Sequence, residues 1–315
     1  MKLSVVICTY NGATYIADKL KSILNQTRHI DEIVVSDDGS TDNTIETVKN
    51  VFKEECFDNY RIIINKPGKG VANNFLSALK IATGEYVFLC DQDDIWDKEK
   101  VDIFEQYIKS NHGMAYFSDG DLIDSDGNKL SGTLWEAIPF SLTMLKNQNI
   151  FSLMLNRSIV TGSAMAVSRE LIAQCKLNCI PEGWIHDDFL GFIAATENSI
   201  YPIDKRLYCY RQHGNNIVGA EKLSLAQKMN KWFNSIGRMS SERTRRYKKY
   251  SSIAPYCNEI YKSELKSCIA FWKNMCMLNN ASTGDAIKII FKNREGYMKY
   301  YTGLRGQVKD LLSCL

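Results

Sequence analysis

The sequence lacks several features that would place the protein in a large class at once. None of its apolar runs approaches the roughly 18 residues that a membrane-spanning helix needs. It has only five prolines, no low-complexity tract and no internal repeat, which argues against long disordered linkers. The apolar run over residues 3–8 is too short for a signal peptide, and no small-residue cleavage site follows it. We therefore expect a cytoplasmic protein.

The net charge is also small, and the sequence lacks the usual phosphate-binding loops and metal-binding cysteine patterns. The net charge of +3 is too small to indicate a nucleic-acid-binding protein, so no nucleic-acid partner is expected. No Gly-x-Gly-x-x-Gly follows the first apolar run, and no Walker-type lysine is present, which disfavours dehydrogenases and P-loop enzymes. The ten cysteines are irregularly spaced, and no second pair completes a zinc site with Cys175 and Cys179. We interpret them as reduced structural cysteines.

The N-terminal part of the chain shows a regular alternation of two patterns. Near-continuous apolar runs predict buried strands over residues 3–8, 32–35, 61–64 and 86–90. Between them, apolar residues recur at helical spacing. Strands that alternate with helices form βαβ units around a parallel sheet. The sequence therefore predicts an α/β fold with a single, mostly parallel sheet flanked by helices.

Polar side chains follow each of the four predicted strands, where ligands bind in open parallel sheets. The clusters are Tyr10-Asn11, Asp37-Asp38, Lys66 to Lys69, and Asp91 to Asp94. Asp91, Asp93 and Asp94 repel one another unless a cation neutralises them. Oxygen ligands suit Mg²⁺ or Mn²⁺, and such an ion can also hold a diphosphate. The alternative is a solvated acidic turn before a helix that begins near Trp96.

Three ordered segments carry a resemblance to a known family. They are VVICTYNG at residues 5–12, VSDDGSTD at residues 35–42 and LCDQDDIW at residues 89–96. These segments are similar to motifs of the family 2 glycosyltransferases, which are inverting enzymes with a GT-A fold. The resemblance implies a GT-A domain that binds the nucleotide sugar and carries out catalysis over residues 1–216. A helical, partly basic C-terminal region is expected over residues 217–315.

The resemblance also implies roles for individual residues. Thr9 and Tyr10 would flank the nucleotide base, and Asp37 would accept a hydrogen bond from its ring N–H. Asp93 would bind Mg²⁺ or Mn²⁺ directly, and Asp91 would reach the ribose or the water shell of the metal. The other implied donor-binding residues are Asn11, Asp38, Lys69, Asn73 and Arg211. Arg211 would neutralise the pyrophosphate, and His213 would complete the metal shell.

His186, Asp187 and Asp188 stand together before an apolar helical run. By themselves, carboxylates at this position are typical of the first turn of a helix. The resemblance implies that Asp187 deprotonates the acceptor hydroxyl, with Asp188 and the imidazole of His186 as alternatives for the base. The His-Asp pair and residues 91–96 are similar to rhamnosyltransferase-like members. The expected donor is accordingly dTDP-rhamnose or a UDP-hexose.

Basic residues accumulate beyond residue 216 and are interleaved with apolar and aromatic residues. They are Lys222, Lys228, Lys231, Arg238, Arg243, Arg245, Arg246, Lys248 and Lys249. This composition is typical of a helix that lies in a membrane interface, and the alternative is a solvated helix pair. A membrane-facing surface would suit a lipid-linked oligosaccharide acceptor, and it predicts peripheral membrane association.

These observations predict a metal-dependent inverting glycosyltransferase. It would move a sugar from a nucleotide-diphosphate donor to a hydroxyl of a lipid-linked intermediate of a bacterial surface polysaccharide. One alternative is a non-catalytic nucleotide-sugar-binding protein of the same fold, which would tolerate loss of Asp187. Another is a sugar nucleotidyltransferase, which would need a glycine-rich basic loop that residues 11–14 do not provide.

Overall fold

The computed structural model describes residues 1–138, 140–175, 180–212, 230, 232 and 234–314, and the chain forms two compact units. The first unit contains Met1–Asn147, Ile159–Ile180 and Ile185–Ala220, and it carries the sheet. The second unit contains Gln148–Ser158, Pro181–Trp184 and Glu221–Leu315, and it is helical. It therefore includes two short segments that precede residue 216.

The first unit is built on a nine-stranded mixed sheet. Its strands are β1 (Leu3–Thr9), β2 (Glu32–Asp37), β3 (Tyr60–Ile64), β4 (Tyr86–Asp91), β5 (Ile95–Trp96), β6 (Ala115–Ile123), β7 (Lys129–Thr133), β8 (Met165–Ser168) and β9 (Ile200–Arg211). Their order is β3-β2-β1-β4-β8-β6-β9-β5, and β7 pairs with β6. β1 to β4 are parallel, whereas β8 runs antiparallel to both β4 and β6.

The parallel strands end side by side and bring the polar residues that follow them to one edge of the sheet. β1 is buried at every position, as expected for an apolar strand that is covered on both faces. Thr9 of β1 lies opposite Asp37 of β2, and Cys8 lies opposite Asp91 of β4. This register places the ends of three strands beside one another, at the edge where parallel sheets bind ligands.

Helices cover the sheet and supply the remaining polar groups. In chain order those of the first unit are α1 (Ile16–Leu24), α2 (Thr44–Glu54), α3 (Val71–Ile81), α4 (Lys100–Asn111), α5 (Leu134–Ala137), α7 (Arg169–Gln174) and α8 (His186–Thr196). The helix between α5 and α7 in the chain, α6 (Ile150–Met154), belongs to the second unit. The buried side of α1 consists of Ile16, Lys19, Leu20 and Ile23. α8 is buried along its whole length, which explains why its sequence is mostly apolar after the polar residues of its first turn.

The helix expected near Trp96 begins only at Lys100, because Ile95–Trp96 pairs with β9 as a short strand. Trp96 is buried as a result. Its ring packs against Phe88 of β4, with ring centres 5.4 Å apart. The segment after Asp94 therefore belongs to the core of the sheet.

The second unit is a cluster of helices. Besides α6 it contains α9 (Met239–Ile253), α10 (Glu259–Cys276), α11 (Thr283–Lys292), α12 (Arg294–Tyr300) and α13 (Leu304–Leu312). Arg243 of α9 is buried and donates to Asp310 Oδ1 at 2.8 Å, and the Tyr297 hydroxyl donates to Asp310 Oδ2 at 2.6 Å. The guanidinium of Arg246 lies 4.9 Å from the centre of the Trp272 ring. These two arginines of the predicted membrane-facing stretch thus make contacts inside the unit.

Two further observations concern the part of the chain that the structure describes. None of its helices is both long enough and apolar enough to cross a bilayer. No disulfide joins the nine cysteines found there. Burial raises the pKa of several of these thiols, including Cys8 and Cys90 next to the acidic strand end.

Candidate active site

An open pocket of about 560 Å³ lies at the edge of the sheet where β1, β2 and β3 end, a size typical of small-molecule sites. Its lining residues are Tyr10, Asp38, Gly39, Asn65, Lys66, Pro67, Gly68 and Gly70. Tyr10 is 59% exposed and offers a ring face on which a base can stack. Lys66 also lines the pocket and carries a positive charge that suits a phosphate, and it is absent from the predicted donor-binding set.

The carboxylate of Asp37 is fully buried and holds the loop that follows β2. Its Oδ2 accepts a hydrogen bond from the Thr9 hydroxyl at 2.8 Å, and its Oδ1 accepts from the backbone N–H groups of Gly39 and Ser40 at 3.1 and 2.8 Å. Asn11 joins the same loop, since its Oδ1 accepts from the backbone N–H of Thr41 at 2.9 Å. These side chains therefore shape the loop beside the pocket, and the predicted base contacts stay predictions.

Asp38 links the end of β2 to the loop before α3. Its two carboxylate oxygens accept from the backbone N–H groups of Lys69 and Gly70 at 2.6 and 2.8 Å. The Lys69 ammonium donates to the Ser77 hydroxyl at 3.0 Å, and the Asn73 amide donates to the carbonyl of Lys69 at 3.2 Å. Lys69 and Asn73 thus stabilise this loop and the start of α3, and neither lines the pocket.

Gln92 positions Tyr10, a role that the sequence did not indicate. Its Oε1 accepts from the backbone N–H of Tyr10 at 2.9 Å, and its Nε2 donates to the carbonyl of Tyr10 at 3.1 Å. A Cβ at Gly12 would lie 2.1 Å from the same Oε1, so glycine is required there for the amide to fit. Gln92 therefore ties the acidic strand end to the residue that presents its ring to the pocket.

Replacing Gln92 with leucine should raise the KM for the donor about tenfold with little change in kcat. The two lost hydrogen bonds together contribute about 1–2 kcal/mol, and they position the pocket without taking part in bond making. Steady-state kinetics at varied donor concentration gives KM and kcat separately. Gln106→Leu, on an exposed face of α4, is the matched control, and an unchanged KM for Gln92→Leu would refute the positioning role.

Asp91 ends β4, and Asp93 and Asp94 follow it after Gln92. Burial raises the pKa of the Asp91 carboxyl well above its ordinary value, and the carboxylates of Asp94, Asp93 and Asp187 raise it further. A divalent cation relieves such crowding of negative charge. Within the described ranges, no three His, Cys, Asp or Glu side chains form a complete metal site. The carboxylates suit Mg²⁺ or Mn²⁺ bound by one or two of them together with phosphate oxygens.

Arg211, at the end of β9, is buried and holds the acidic loop. Its backbone N–H donates to Asp94 Oδ1 at 3.0 Å, and its Nε donates to the main-chain carbonyl of Asp93 at 2.8 Å. Its guanidinium also donates to the carbonyl of Ser125 at 2.8 Å and lies 4.7 Å from the centre of the Tyr15 ring. These contacts give Arg211 a positioning role in the acidic loop, and its predicted neutralisation of pyrophosphate stays a prediction.

Two fully buried lysines, Lys19 of α1 and Lys100 of α4, lie beside the acidic loop. The ammonium groups of Lys100 and Lys19 lie 4.4 and 5.1 Å from the centre of the Trp96 ring. Lys100 Nζ also donates to the carbonyl of Ser163 at 2.7 Å. Burial raises the pKa of Asp94 to about 6, and the positive charge of Lys19 opposes this increase. The positive charge of Lys19 therefore offsets part of the negative charge of the loop, whereas burial lowers the pKa of Lys100 well below its ordinary value.

Asp187 lies in the first turn of α8, and its carboxylate is buried and fixed in position. Oδ2 accepts from the backbone N–H of Gly162, and Oδ1 accepts from that of Asp188, each at 2.7 Å. Burial raises the pKa of Asp187 to about 6, and the carboxylate of Asp188 contributes to the increase. The charge of Asp187 also acts on Asp91, so the two groups lie within electrostatic reach. Such a carboxylate is suited to accept a proton from a hydroxyl near neutral pH.

The imidazole of His186 lies in a different environment from the carboxylate beside it. It stacks on Phe75 of α3, with ring centres 3.8 Å apart and planes at 13°. Burial lowers its pKa to about 3. Neither ring nitrogen has a hydrogen-bond partner among the residues with described positions. A group with so low a pKa is a weak base near neutrality, so the structure favours Asp187 as the proton acceptor.

The structure thus gathers most of the predicted residues at one edge of the sheet, and it adds four, Lys19, Lys66, Gln92 and Lys100. His213 lies outside the described residues, as do Lys222, Lys228 and Lys231. Lys66 follows β3 in a polar cluster that the sequence had already placed at this edge. Gln92 carried no signal beyond its position between Asp91 and Asp93.

Comparison with known families and proteins agrees with this arrangement. Residues 4–175 match the family described as Glycosyl transferase family 2. The dTDP-rhamnosyl transferase RfbG of Shigella flexneri is 29% identical over 250 residues, which cover 72% of this chain and 80% of the relative. The GalNAc(5)-diNAcBac-PP-undecaprenol beta-1,3-glucosyltransferase of Campylobacter jejuni is 35% identical over 128 residues, which cover 40% of each chain.

Solved structures show the same fold at low sequence identity. S. aureus TarS 1-349 in complex with UDP-GlcNAc has a TM-score of 0.61 at 19% identity, covering 100% of this chain and 89% of TarS 1-349. The mannosyltransferase PcManGT of Pyrobaculum calidifontis, in complex with GDP-Man and Mn²⁺, has a TM-score of 0.54 at 16% identity, covering 99% and 85%. The predicted GT-A fold with a helical C-terminal region is confirmed.

The family match covers more than half of the chain and includes all three segments that carried the resemblance in the sequence, at residues 5–12, 35–42 and 89–96. The predicted family and the prediction of an enzyme are therefore confirmed. The chain belongs to glycosyl transferase family 2 and is a glycosyltransferase.

Proposed function

We propose that the protein transfers a sugar, with inversion, from dTDP-rhamnose or a UDP-hexose to a hydroxyl of a lipid-linked oligosaccharide in the synthesis of a bacterial surface polysaccharide. One observation carries the proposal. The pocket around Tyr10, the acidic end of β4 and the fixed carboxylate of Asp187 lie at the same edge of one sheet. A nucleotide, a leaving diphosphate and an acceptor hydroxyl are the groups that this transfer must hold together.

Asp187 is the general base in this proposal. It takes the proton of the acceptor hydroxyl while the acceptor oxygen forms a bond to the anomeric carbon and the bond from that carbon to the diphosphate breaks. One displacement of this kind inverts the configuration and needs no covalent intermediate. The N–H groups of Gly162 and Asp188 keep the carboxylate oriented, and Asp188 helps to keep its pKa near neutrality.

Asp91 and Asp93 would hold Mg²⁺ or Mn²⁺, which stabilises the negative charge of the leaving diphosphate when it is bound. The protein itself keeps these carboxylates in place. Arg211 holds the main chain at Asp93, and Lys19 offsets part of the loop's negative charge. The neighbour PcManGT contains Mn²⁺ together with GDP-Man, which supports a divalent cation at this site.

The choice of donor and acceptor rests on the relatives. RfbG is a dTDP-rhamnosyl transferase, and it matches most of this chain. The Campylobacter relative is named for GalNAc(5)-diNAcBac-PP-undecaprenol, a glycan carried on a lipid. An acceptor of that kind lies at a membrane surface, so the proposal includes peripheral association with the inner face of the cell membrane.

Turnover should rise as the pH increases through about 6, where burial has raised the pKa of Asp187. Below this pH the carboxyl is protonated and cannot accept a proton, so kcat/KM should fall about tenfold for each further pH unit. The measurement is a pH profile of kcat/KM with saturating metal ion, over the range in which the protein stays folded. A profile that is flat through this region would contradict the assignment of Asp187.

The proposed reaction is tested by the release of nucleotide diphosphate from a panel of UDP-, dTDP- and GDP-sugars, with Mg²⁺ or Mn²⁺ present. Release from a dTDP- or UDP-sugar that a chelator abolishes would support the proposal and identify the donor for acceptor assays. Calorimetry with the same panel measures donor binding independently of turnover. Binding of no dTDP- or UDP-sugar, or binding and turnover only with a GDP-sugar, would contradict the proposed donor class.

A further inference from the structure

α13 turns its apolar side chains towards solvent. Leu304, Val308 and Leu312 recur every fourth residue and form one row along the helix. They are 72%, 44% and 38% exposed. Gly306 and Asp310, on the opposite side of the helix, are buried. The helix thus packs through a small and a polar residue and exposes its apolar row, the reverse of the usual pattern for a surface helix.

α11 repeats this arrangement and packs against α13. Ile287 and Phe291 lie four residues apart on one face and are 53% and 68% exposed. Ala286 and Ile290 form the buried side of the same helix. Two neighbouring helices therefore each present a row of large apolar side chains to solvent, whereas singly scattered exposed residues would need no explanation.

Basic side chains flank both apolar rows. Lys288 and Lys292 lie beside the row of α11, and Arg305 and Lys309 lie beside the row of α13. The basic residues over positions 283–312 are Lys288, Lys292, Arg294, Lys299, Arg305 and Lys309, and the acidic residues are Asp285, Glu295 and Asp310. Asp310 is buried and bonded to other side chains of the unit, which leaves the exposed surface net basic.

We propose that these two rows and the cations beside them form a docking surface for an anionic lipid bilayer, here called the α11–α13 surface. Apolar rows flanked by Lys and Arg are typical of helices that lie in a membrane interface, where the long basic side chains reach the headgroups. Charge decides between the possible occupants. Anionic lipids complement the basic surface, whereas a second copy of the chain would bring like charges together.

The inference deepens the proposed function and rests on its lipid-linked acceptor, since a bilayer surface would bring such an acceptor to the enzyme. It also moves the expected membrane contact along the chain. Composition pointed to the basic stretch before residue 250, but Arg243 and Arg246 of that stretch are engaged within the helical unit. The exposed apolar rows lie further towards the C-terminus.

Vesicle binding by the full chain, without donor or acceptor, tests the inference. The protein should sediment with vesicles of equimolar phosphatidylglycerol and phosphatidylcholine, and less with phosphatidylcholine alone or at raised salt. Leu304→Glu/Val308→Glu should lower the partition coefficient at least about tenfold, because two apolar groups leave the bilayer and two negative charges face anionic lipid. Ile260→Glu/Met277→Glu is the matched control. It changes two residues that are 72% and 62% exposed outside both rows, and it should bind as the native protein does.

The inference is overturned if the native protein binds neither kind of vesicle, or if both double variants lose binding equally. It is also overturned if the protein forms a dimer in the absence of lipid and Leu304→Glu/Val308→Glu dissociates this dimer. The surface would then bind a second copy of the chain. Leu304→Trp gives a positive signal that does not depend on loss of binding. Its added fluorescence should be quenched by brominated lipid in the anionic vesicles, and absence of quenching would argue against insertion.

Sugar transfer to a water-soluble acceptor, measured in parallel, separates this inference from the proposed function. Leu304→Glu/Val308→Glu should retain that transfer while losing vesicle binding. A protein that binds anionic vesicles through these residues but transfers no sugar would contradict the proposed function and leave the α11–α13 surface supported.

Discussion

Replacing Asp187 with asparagine should lower kcat by about 10²–10⁴-fold, the usual contribution of a positioned general base. Asparagine is nearly isosteric and can still accept one of the two N–H hydrogen bonds at this position, but it cannot take a proton from a hydroxyl. Donor affinity should be unchanged or slightly tighter, because a negative charge that acts on Asp91 is removed. Steady-state kinetics gives kcat, and calorimetry gives the donor affinity.

Two neighbouring variants distinguish Asp187 from the alternatives. His186→Phe keeps an aromatic ring against Phe75 and removes only ring nitrogens that lack partners in the described part of the chain, so transfer should persist. Asp188→Asn removes a charge that raises the pKa of Asp187, so the rise in the pH profile should move to lower pH. Loss of transfer in His186→Phe, with transfer retained in Asp187→Asn, would assign the base to His186.

Replacing Asp93 with asparagine should abolish metal-dependent donor binding and lower turnover at least about 100-fold. Loss of a group that hydrogen-bonds to a metal ligand already lowers metal affinity or activity about 10–100-fold. Loss of a charged ligand itself should lower them at least as much. The substitution should leave the local main chain in place, because Arg211 Nε donates to the main-chain carbonyl of Asp93, which the substitution does not change. Calorimetry with the donor, in Mn²⁺ and in chelator, measures the metal-dependent part of the binding.

Asp126→Asn is the matched control for this experiment, since it removes a carboxylate from an exposed turn between β6 and β7. It should bind metal and donor as the native protein does. If the native enzyme turns over equally well in chelator, and Asp93→Asn does the same, then the acidic loop does not hold a catalytic cation.

Most of the strands and helices that surround this site could be predicted, because they depend on local sequence patterns. An apolar run followed by polar residues indicates a buried strand and the position of its end. Parallel strands end at the same edge, so the strand pattern is enough to place Asp91 near the loop after β2. The first turn of α8 was indicated in the same way, by carboxylates before an apolar run.

The roles of single residues at the site were harder to predict from the sequence. Lys19 did carry a signal, since a lysine on the apolar stripe of α1 between Ile16 and Ile23 must be buried. The sequence carried no signal for the contacts of Gln92 and Arg211, because their partners lie far away along the chain. Gln92 contacts Tyr10, and Arg211 contacts Asp93 and Ser125.

The sequence by itself determined the parallel half of the sheet, the edge at which the site lies and the family to which the enzyme belongs, because apolar periodicity and short motifs are local properties of the chain. Only the tertiary structure decided which polar groups remain available. The carboxylate of Asp37 accepts hydrogen bonds from Thr9 and from the loop that follows β2. The carboxylate of Asp187 is held in place with a raised pKa. It also decided that α13 faces solvent with its apolar side. Burial and hydrogen-bond satisfaction depend on partners distant in sequence, and those partners meet only in the folded chain.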